Sequence, residues 1–433
     1  MGDLTASRTP QPWTAPTATD PVGTALRLPG SKSLTARALV LSALASGPST
    51  LARPLRARDT ELMAGALRGM GAHVSISDDA RWLVRPHRLT GPAHVDVGLA
   101  GTVMRFVPPI AGLAEGRITF DGDPQARTRP LGPLIGALRT LGVRIDTPTG
   151  GSLPLTVSGT GQVTGGEVEI DASASSQLVS GLLLAAPRFD RGVVVRHVGP
   201  PVPSAPHLRM TVRLLRAAGA AVDDTTPDVW VVEPGPLTGR GWEIEPDLSG
   251  AVPFFAAALV TGGEVTLQGW PPRSTQPVEQ LRELLHRMGG EVALTTDGLT
   301  VRGTGRVHGI DADLSDVSEL TPVFTALAAV ADSPSRLTGV AHIRGHETDR
   351  LTALATEFTA LGADVTELAD GLEIRPRPLR GAPFRTYHDH RMAHAAAVAG
   401  LVVAGVEVDD IGCTSKTMPE FPALWSAMVT GEN

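Results

Sequence analysis

The only two lysines of the chain, Lys32 and Lys416, both follow a serine and precede a serine or threonine. The rest of the 38 lysines and arginines are therefore arginines. A lysine ammonium is a compact charge that can change its protonation state, whereas an arginine guanidinium is a permanently charged fork. The recurring context indicates that the two ammonium groups serve an anion site, although an arginine-biased composition could also leave two lysines by chance.

Carboxylates, imidazoles and arginines cluster in three segments of the second half of the chain, DVSELTP, HIRGHETDR and YHDHRM. Two carboxyl groups in different surroundings can divide a proton transfer, one acting as base and one as acid. Histidines at helical spacing beside a carboxylate could instead hold a metal ion, but arginines interrupt both histidine clusters and would repel a cation. We therefore predict proton-transfer chemistry and no metal. The candidate residues are Asp316, Glu319, His342, Arg344, His346, Glu347, Arg350, His388, Asp389, His390 and Arg391.

Small polar residues open several apolar segments of the first half, among them PGSKSLTARAL, LAGTVMR and ASSQLV. Serines at such positions are most often helix N-caps, and Gly-Ser-Lys-Ser lacks the GxxxxGK spacing of a nucleotide-binding loop. Hydroxyl, amide and guanidinium groups are also good donors to a phosphate. The candidate anion-binding residues are Ser33, Arg37, Gly101, Thr102, Arg105, Arg127, Arg129, Ser175, Ser176, Gln177, Ser204 and His207.

These polar starts belong to a pattern that occurs six times: a polar start, an apolar helical stretch, a turn and a short β-branched strand. A fixed period of this kind marks a repeated structural unit. An amphipathic helix followed by a strand lies between the copies, as in LRTLGVRID and FTALGADVTEL. The turns of the copies, roughly seventy residues apart, fall at Gly47, Gly116, Gly192, Gly262, Ser333 and Gly405.

The two kinds of helix should occupy different positions in the fold. The first helix of each unit is apolar on most faces, which predicts burial, whereas the second carries charges on one side and should lie outside. At the start of each buried helix, backbone N–H groups and the positive end of the helix dipole are left free. Six units divide into three plus three, so we expect two similar lobes whose helix starts face one cleft and bind anions there.

Composition limits the class of protein. A length of 433 residues exceeds what one hydrophobic core usually organises, and a net charge of −7 argues against nucleic acid as a partner. The longest apolar run, Ala395 to Val406, is shorter than the ~20 residues of a membrane helix, so we predict a buried helix there and no membrane segment. Residues 1–21 contain no apolar signal segment, and Cys413 is the only cysteine. The sequence thus indicates a cytoplasmic protein without disulfides.

In their order along the chain, the motifs PGSKS, AGTVMR, RTRP, SSQ, ETDR, DHRM and SKT resemble those of the 5-enolpyruvylshikimate-3-phosphate synthases. The resemblance implies an α/β fold of two similar lobes, each of three βαβαββ units with buried helices, forming an inside-out α/β barrel. The chain is expected to cross between the lobes twice. A tail and first strand, 1–29, should join the C-terminal lobe, 246–433, which holds the catalytic carboxylates. The N-terminal lobe, 30–245, should hold most of the shikimate 3-phosphate site.

The resemblance also implies a reaction: the enolpyruvyl group of phosphoenolpyruvate passes to the 5-hydroxyl of shikimate 3-phosphate, and phosphate is released. The expected partners are these two substrates alone, with no cofactor, and we expect a monomer that glyphosate inhibits. Shikimate 3-phosphate should contact Lys32, Ser33, Arg37, Ser175, Ser176, Gln177, Ser204, Glu319 and His346. Phosphoenolpyruvate should contact Lys32, Gly101, Arg129, Gln177, Arg350, Arg391 and Lys416. Lys32, Glu319, Glu347 and His390 are expected to act in catalysis.

Four positions depart from the pattern typical of this family. Leu99, Phe106, His207 and His346 stand where asparagine, proline, tyrosine and lysine are common. His346 is expected to make one phosphate contact pH-dependent.

Two other functions stay open at this point. UDP-N-acetylglucosamine enolpyruvyl transferases share the fold and the donor, but their mobile-loop cysteine lies in the N-terminal lobe, whereas Cys413 is near the C-terminus. A noncatalytic anion-binding relative would have lost turnover. Retention of both candidate glutamates, both lysines and the arginines argues against it.

Overall fold

The computed structural model describes residues 12–76, 80–148 and 150–432. The first eleven residues of the proline- and threonine-rich tail, for which the sequence predicts no role, lie outside this range. The described α-helices are α1 (Lys32–Leu44), α2 (Arg58–Gly69), α3 (Gly101–Gly112), α4 (Gly132–Thr140), α5 (Ser176–Ala185), α6 (Ala205–Ala217), α7 (Leu248–Thr261), α8 (Val278–Arg287), α9 (Thr321–Ala329), α10 (Arg350–Leu361), α11 (His390–Gly400) and α12 (Phe421–Thr430).

The strands are short. They are β1 (Trp13–Thr14), β2 (Gly23–Leu26), β3 (Ser49–Ala52), β4 (His73–Ile76), β5 (Arg81–Arg85), β6 (Ala93–Asp96), β7 (Glu115–Asp121), β8 (Arg144–Asp146), β9 (Leu155–Thr160), β10 (Gly166–Ile170), β11 (Val193–His197), β12 (Val222–Asp223), β13 (Val229–Val232), β14 (Gly241–Glu243), β15 (Glu264–Gln268), β16 (Glu291–Leu294), β17 (Gly298–Arg302), β18 (Asp311–Asp313), β19 (Ser335–Thr338), β20 (Asp364–Glu367), β21 (Leu372–Arg375), β22 (Pro383–Phe384) and β23 (Glu407–Val408).

The described strands form six sheets, five of four strands and one of three, and none of them closes on itself. In the sheet β6-β7-β9-β8, β6 and β7 are parallel and the other two pairs are antiparallel. Along the chain this unit reads β6, α3, β7, α4, β8, β9. The same order recurs from β10 to β13 and from β18 to β21. The repeat read from the sequence is thus a repeat of one mixed α/β unit.

Strands distant in sequence complete three of the sheets. β2 pairs with β15 in parallel, and β1 pairs with β23. β14 pairs with β3, in the sheet that follows α1. The chain therefore passes from the sheet of β15 to that of β3 after β2, and returns after β14. The two passages touch at an isolated bridge between Gly30 and Pro246.

The buried apolar residues fall into two clusters. One, the N-terminal core, runs from Leu34 to Ile244 and contains α1, α3 and α5, and the other, the C-terminal core, contains α7, α9 and α11 with residues 15–28. In α7, LSGAVPFFAAALVT, apolar residues occupy every face, so the helix is stable only where protein surrounds it. By contrast, α8 buries only Leu281, Leu284 and Leu285. The six apolar helices are buried, as predicted from their sequences.

Two local predictions need correction. The apolar run Ala395 to Val406 is only partly helical, because α11 begins earlier, at His390, and ends at Gly400. The chain then turns through Gly405, whose φ of +83° lies in the left-handed region that favours glycine. The polar start DVSELTP does not open α9 directly but forms a 3-10 turn, Ser315–Leu320, with Val317 outside helical geometry. No helix in the described ranges is long and apolar enough to cross a membrane.

Candidate active site

A cavity of about 100 Å³, called the central cavity below, lies between the two cores. A smaller one of about 50 Å³, the side cavity, adjoins it and shares Lys32, Gln177 and Glu319 with it. Six helix starts surround the central cavity, so backbone dipoles and side chains favour anions there. The lining residues at these starts are Lys32 of α1, Thr102 of α3, Ser176 of α5, Leu248 of α7, Leu320 before α9 and Arg391 of α11.

Several serine hydroxyl groups line the central cavity. Ser33, Ser175, Ser176 and Ser204 all lie on it. Ser175 is also the N-cap of α5, because its Oγ accepts the Gln177 N–H at 3.3 Å. Ser204 has a left-handed backbone, with φ of 55°, and is held across the cleft by its N–H, which donates to the Ser315 carbonyl at 2.9 Å. The capping and anion-binding interpretations of these serines are therefore compatible.

Arg37 does not line either cavity. Its guanidinium lies inside the N-terminal core, 5.1 Å from the ring centroid of Phe106. It donates to Thr211 Oγ1 at 2.7 Å and to the Ser33 carbonyl at 3.0 Å. Burial lowers its pKa to about 9. In this arrangement Arg37 supports the first turn of α1 from within the core.

The side cavity has a cationic wall. Arg129 Nη1 donates to the Leu99 carbonyl at 3.1 Å, and Arg105 Nη1 donates to Gln177 Oε1 at 3.2 Å. The Nε atoms of both arginines are buried without a partner among the described residues. Burial, and then the charge of Arg129, lower the pKa of Arg105 to about 9. Gly101 lies against this wall with no side chain, and an added Cβ would come within 2.8 Å of Arg105 Nη1.

Arg350 connects three carboxylates beneath the cavities. It is 1% exposed and donates to Asp389 through Nε at 2.7 Å and Nη2 at 3.1 Å. Its other contacts are Glu319 at 3.1 Å and Glu347 at 2.9 Å. A buried guanidinium is tolerated only with such partners. Arg350 thereby fixes both glutamates at the edge of the cavities that they line.

The pKa values of the two glutamates shift in the same direction. Burial raises the pKa of Glu319, but the charges of Arg350 and Arg391 outweigh it and hold this pKa well below its usual value. Burial also raises the pKa of Glu347, where Lys416 and Arg350 outweigh it. Both groups are therefore ionised at neutral pH. The sequence suggested that different surroundings would make one glutamate an acid and the other a base. In the structure, cationic neighbours lower the pKa of both glutamates.

The two lysines lie close to one buried carboxylate, Asp59. Lys32 Nζ is 3.4 Å from Asp59 Oδ2. Lys416 forms an ion pair with Glu347. Burial lowers the pKa of Lys416, but Glu347 and Asp59 raise it above its ordinary value. The two lysines, whose sequence contexts are similar, therefore place their ammonium groups in the same region.

The histidines of the site are neutral. Arg350 Nη1 can only donate, so His346 Nδ1 accepts from it at 2.9 Å and the proton sits on Nε2. Burial lowers the pKa of His346 to about 3, so this side chain stays uncharged near neutral pH rather than titrating there. His390 lines the side cavity, and neither of its buried ring nitrogens has a described partner. Burial and then Arg391 lower its pKa well below the usual value.

Most of the predicted site residues meet at these cavities. Arg37, Arg350 and Lys416 line neither cavity. Arg350 and Lys416 contact Glu347 of the side cavity, and Arg37 donates to the carbonyl of Ser33, which lines the central cavity. Cys413 is half-buried, lies outside both cavity linings, and has a pKa raised by burial. No group of three or more histidine, cysteine, aspartate or glutamate side chains within the described ranges could hold a metal ion.

Sequence reasoning missed two acidic residues of the site. Asp59, 2% exposed, lies in the first turn of α2, a helix expected outside the core. Acidic residues are common in first turns because they complement the helix dipole, so its type and position gave no signal. Asp247 caps α7 and accepts the Lys32 backbone N–H at 3.0 Å. It opens a buried helix as the other candidates do, and that signal could have identified it.

Comparison with known proteins agrees with this geometry. The sequence profile of the family described as EPSP synthase (3-phosphoshikimate 1-carboxyvinyltransferase) matches residues 16–425. A 3-phosphoshikimate 1-carboxyvinyltransferase of Mycobacterium ulcerans (strain Agy99) is 53% identical over 429 residues, 98% of this chain and 99% of that protein. An EPSP synthase structure from Acinetobacter baumannii has a TM-score of 0.81 at 25% identity, covering 97% of this chain and 98% of the other. A second structure from that organism, at 24% identity, has a TM-score of 0.79 over 96% and 98% of the two chains. The chain belongs to the EPSP synthase family.

Proposed function

We propose that this protein transfers the enolpyruvyl group of phosphoenolpyruvate to the 5-hydroxyl of shikimate 3-phosphate and releases phosphate, a step in the biosynthesis of aromatic amino acids. One observation carries the proposal. In a chain of the EPSP synthase family, the starts of six buried helices, Lys32 and two ionised glutamates converge on one pair of adjoining cavities, and Lys416 pairs with one of these glutamates.

The part of the central cavity lined by serine hydroxyls is the proposed site of the 3-phosphate. Ser175, Ser176 and Ser204 offer O–H donors there, and the start of α5 adds backbone N–H groups. Gln177 lines both cavities and is suited to contact both substrates. Lys32, at the start of α1, does the same with a positive charge.

The side cavity is the proposed site of phosphoenolpyruvate. Its carboxylate and phosphate require several cations, and Arg105 and Arg129 have buried donors without described partners. Gly101 lets the anion approach the backbone. The sequence offered Arg105 as a candidate that the family resemblance did not assign to a substrate, and its contact with Gln177 favours it as a ligand.

The reaction is an addition followed by an elimination. The 5-hydroxyl loses its proton and attacks C2 of phosphoenolpyruvate, while the C3 methylene gains a proton and becomes a methyl group. The tetrahedral adduct then loses a proton from this methyl group and expels inorganic phosphate, which restores the double bond. Two groups that accept and return protons are sufficient for both steps.

We propose that Glu319 accepts the proton of the 5-hydroxyl, because Glu319 lines both cavities and is ionised. We propose that Glu347, which lines only the side cavity, delivers the proton that the C3 methylene gains. An arriving phosphoenolpyruvate anion adds negative charge beside Glu347 and competes for Lys416. Both effects raise the pKa of Glu347 and so favour its protonated form. His390, neutral and adjacent, is in position to contact the same group.

The fold supports a proposal about domains and motion. We take 30–245 and 246–433 as two lobes of three units each, with 1–29 joining the second, arranged with helices inside the sheets. Because ligands for both substrates come from both cores, the lobes are expected to close on shikimate 3-phosphate. Small-angle scattering should show compaction on its addition and the mass of one chain. An unchanged radius of gyration contradicts the closure.

A phosphate-release assay tests the function. Release should require both phosphoenolpyruvate and shikimate 3-phosphate. Replacing the acceptor with UDP-N-acetylglucosamine should abolish it, since Cys413 lies outside both cavities. Turnover with that acceptor would instead favour the other enolpyruvyl transferase, and tight binding of shikimate 3-phosphate without turnover would favour a noncatalytic relative.

A further inference from the structure

A chain of hydrogen bonds crosses the central cavity from one core to the other. Ser204 Oγ, at the start of α6, lies 3.1 Å from Ser318 Oγ in the 3-10 turn before α9. Ser318 Oγ lies 2.8 Å from His342 Nε2, in the next 3-10 turn, Ala341–Gly345. Ser318 is 1% exposed and Ser204 9%. Both serines are therefore shielded from bulk solvent, and the hydrogen bonds described here join each hydroxyl to its neighbour in the chain.

The direction of the chain is set by what Ser204 must bind. Burial lowers the pKa of His342 to about 4, so its ring is neutral and Nε2 either donates or accepts. If the Ser204 hydroxyl donates a hydrogen bond to an anion, its oxygen is free to accept one from the Ser318 hydroxyl. Ser318 can then accept from His342 only if Nε2 carries the proton. The result is three donors in series, and such chains polarise one another.

We propose that Ser318 and His342 are positioning residues that orient the Ser204 hydroxyl toward the phosphate of the acceptor. The inference rests on the proposed function and deepens it. Neither residue touches the phosphate in this role. Both act through Ser204, and because they belong to the other core, the serine is oriented only when the two cores are in contact.

The 3-10 turn of Ser318 links this orientation to the chemistry. The same turn supplies the Ser315 carbonyl that accepts the Ser204 N–H at 2.9 Å. It also carries Glu319, the residue after Ser318. Engagement of the 3-phosphate through Ser204 therefore holds in place the turn that positions a proposed catalytic carboxylate.

The first test is Ser318→Ala, with Ser315→Ala as the matched control. Ser315 lies in the same turn but contributes its backbone carbonyl, which the substitution keeps. Calorimetric titration should show affinity of Ser318→Ala for shikimate 3-phosphate reduced by up to about tenfold, as for the loss of one hydrogen bond between neutral groups. Its affinity for shikimate, which has no phosphate, should be unchanged, and Ser315→Ala should match the unmodified protein for both ligands. Equal weakening of both ligands, or of neither, overturns the proposal.

A second pair of variants tests His342 without relying on the stability of the first. His342→Phe removes the donor and should raise KM for shikimate 3-phosphate with kcat less affected, whereas His342→Gln keeps an N–H and should recover part of the loss. Equal kinetics for the two variants contradicts the donor chain. If the unmodified protein binds shikimate 3-phosphate with this dependence but lacks turnover, the proposed function fails and the chain stands. If turnover is normal and all variants bind alike, only the chain fails.

Discussion

Replacement of Gly101 by alanine is expected to weaken the binding of glyphosate much more than that of phosphoenolpyruvate. An added Cβ would lie 2.8 Å from Arg105 Nη1, 3.0 Å from Gln177 Oε1 and 3.2 Å from Arg129 Nη2. Ordinary contact begins near 3.4 Å, so the first of these atoms must retreat by about 0.6 Å. All three atoms belong to the wall that we assign to phosphoenolpyruvate.

The size of the effect follows from overpacking. Inserting a methyl group into a filled site costs about 1–3 kcal/mol, which corresponds to roughly 5- to 150-fold in a binding constant. Glyphosate resembles phosphoenolpyruvate in its anionic ends but is longer, so it should bear most of this cost. Because the clashing atoms are the ends of flexible side chains, the shorter substrate can be accommodated by a small retreat of the wall.

Phosphate release with varied phosphoenolpyruvate and several glyphosate concentrations measures both constants. Glyphosate should act competitively, and Gly101→Ala should raise its inhibition constant at least several times more than KM. Gly136→Ala is the control, since an added Cβ on α4 meets nothing within 4 Å. Resistance of the unmodified protein to millimolar glyphosate, or an equal change in both constants, would refute this interpretation of Gly101.

Five further substitutions test other parts of the account. Lys32→Arg should lose most phosphate-release activity although the charge is kept, because a wider fork does not fit where a point charge is shared by two substrates, and near-normal turnover would contradict this. Glu319→Gln and Glu347→Gln should lower kcat by about 10²-fold or more with smaller changes in substrate affinity measured by titration. A variant that loses only affinity would show a binding role instead. Cys413→Ser should keep nearly full activity, and an inactive variant would reopen the cysteine-dependent alternative. His394→Phe should make the free energy of unfolding less sensitive to acid. Burial holds the pKa of His394 well below 6.5 in the folded protein, so below pH 6.5 the unfolded chain binds a proton that the folded protein does not. The free energy of unfolding then falls by up to about 1.4 kcal/mol per pH unit, and the substitution removes this contribution. Urea midpoints at pH 7.5 and 5.5 measure this, and an unchanged difference between the two midpoints would argue against it.

The sequence predicted the repeat and the helix starts because both depend on local patterns. Apolar residues on every face of α7 require burial, and Ser175 or Asp389 at a helix start is a local capping signal. Once the starts are assigned to buried helices, convergence at one cleft follows from packing three helices in each core. Lys32, Gln177 and Glu319 could therefore be identified in advance.

Residues whose role depends on tertiary packing were not predictable in the same way. Arg37 has the spacing of a ligand on α1, but Thr211 and Phe106 from other helices draw its guanidinium into the core. Asp59 is an ordinary first-turn acid until α2 packs against α1 and brings it to Lys32. The link from Ser204 to Ser318 joins residues 114 positions apart, and no local pattern reports it.

The central claim is that the paired cavities carry out enolpyruvyl transfer by protonating and then deprotonating one carbon. The most direct test is turnover in D2O, followed by proton NMR of the product. Because the methylene becomes a methyl group in the adduct and then loses one hydrogen, the account predicts an enolpyruvyl product whose methylene contains deuterium, formed only when both substrates are present. Product without deuterium would contradict the addition and elimination sequence, and the absence of product would contradict the function itself.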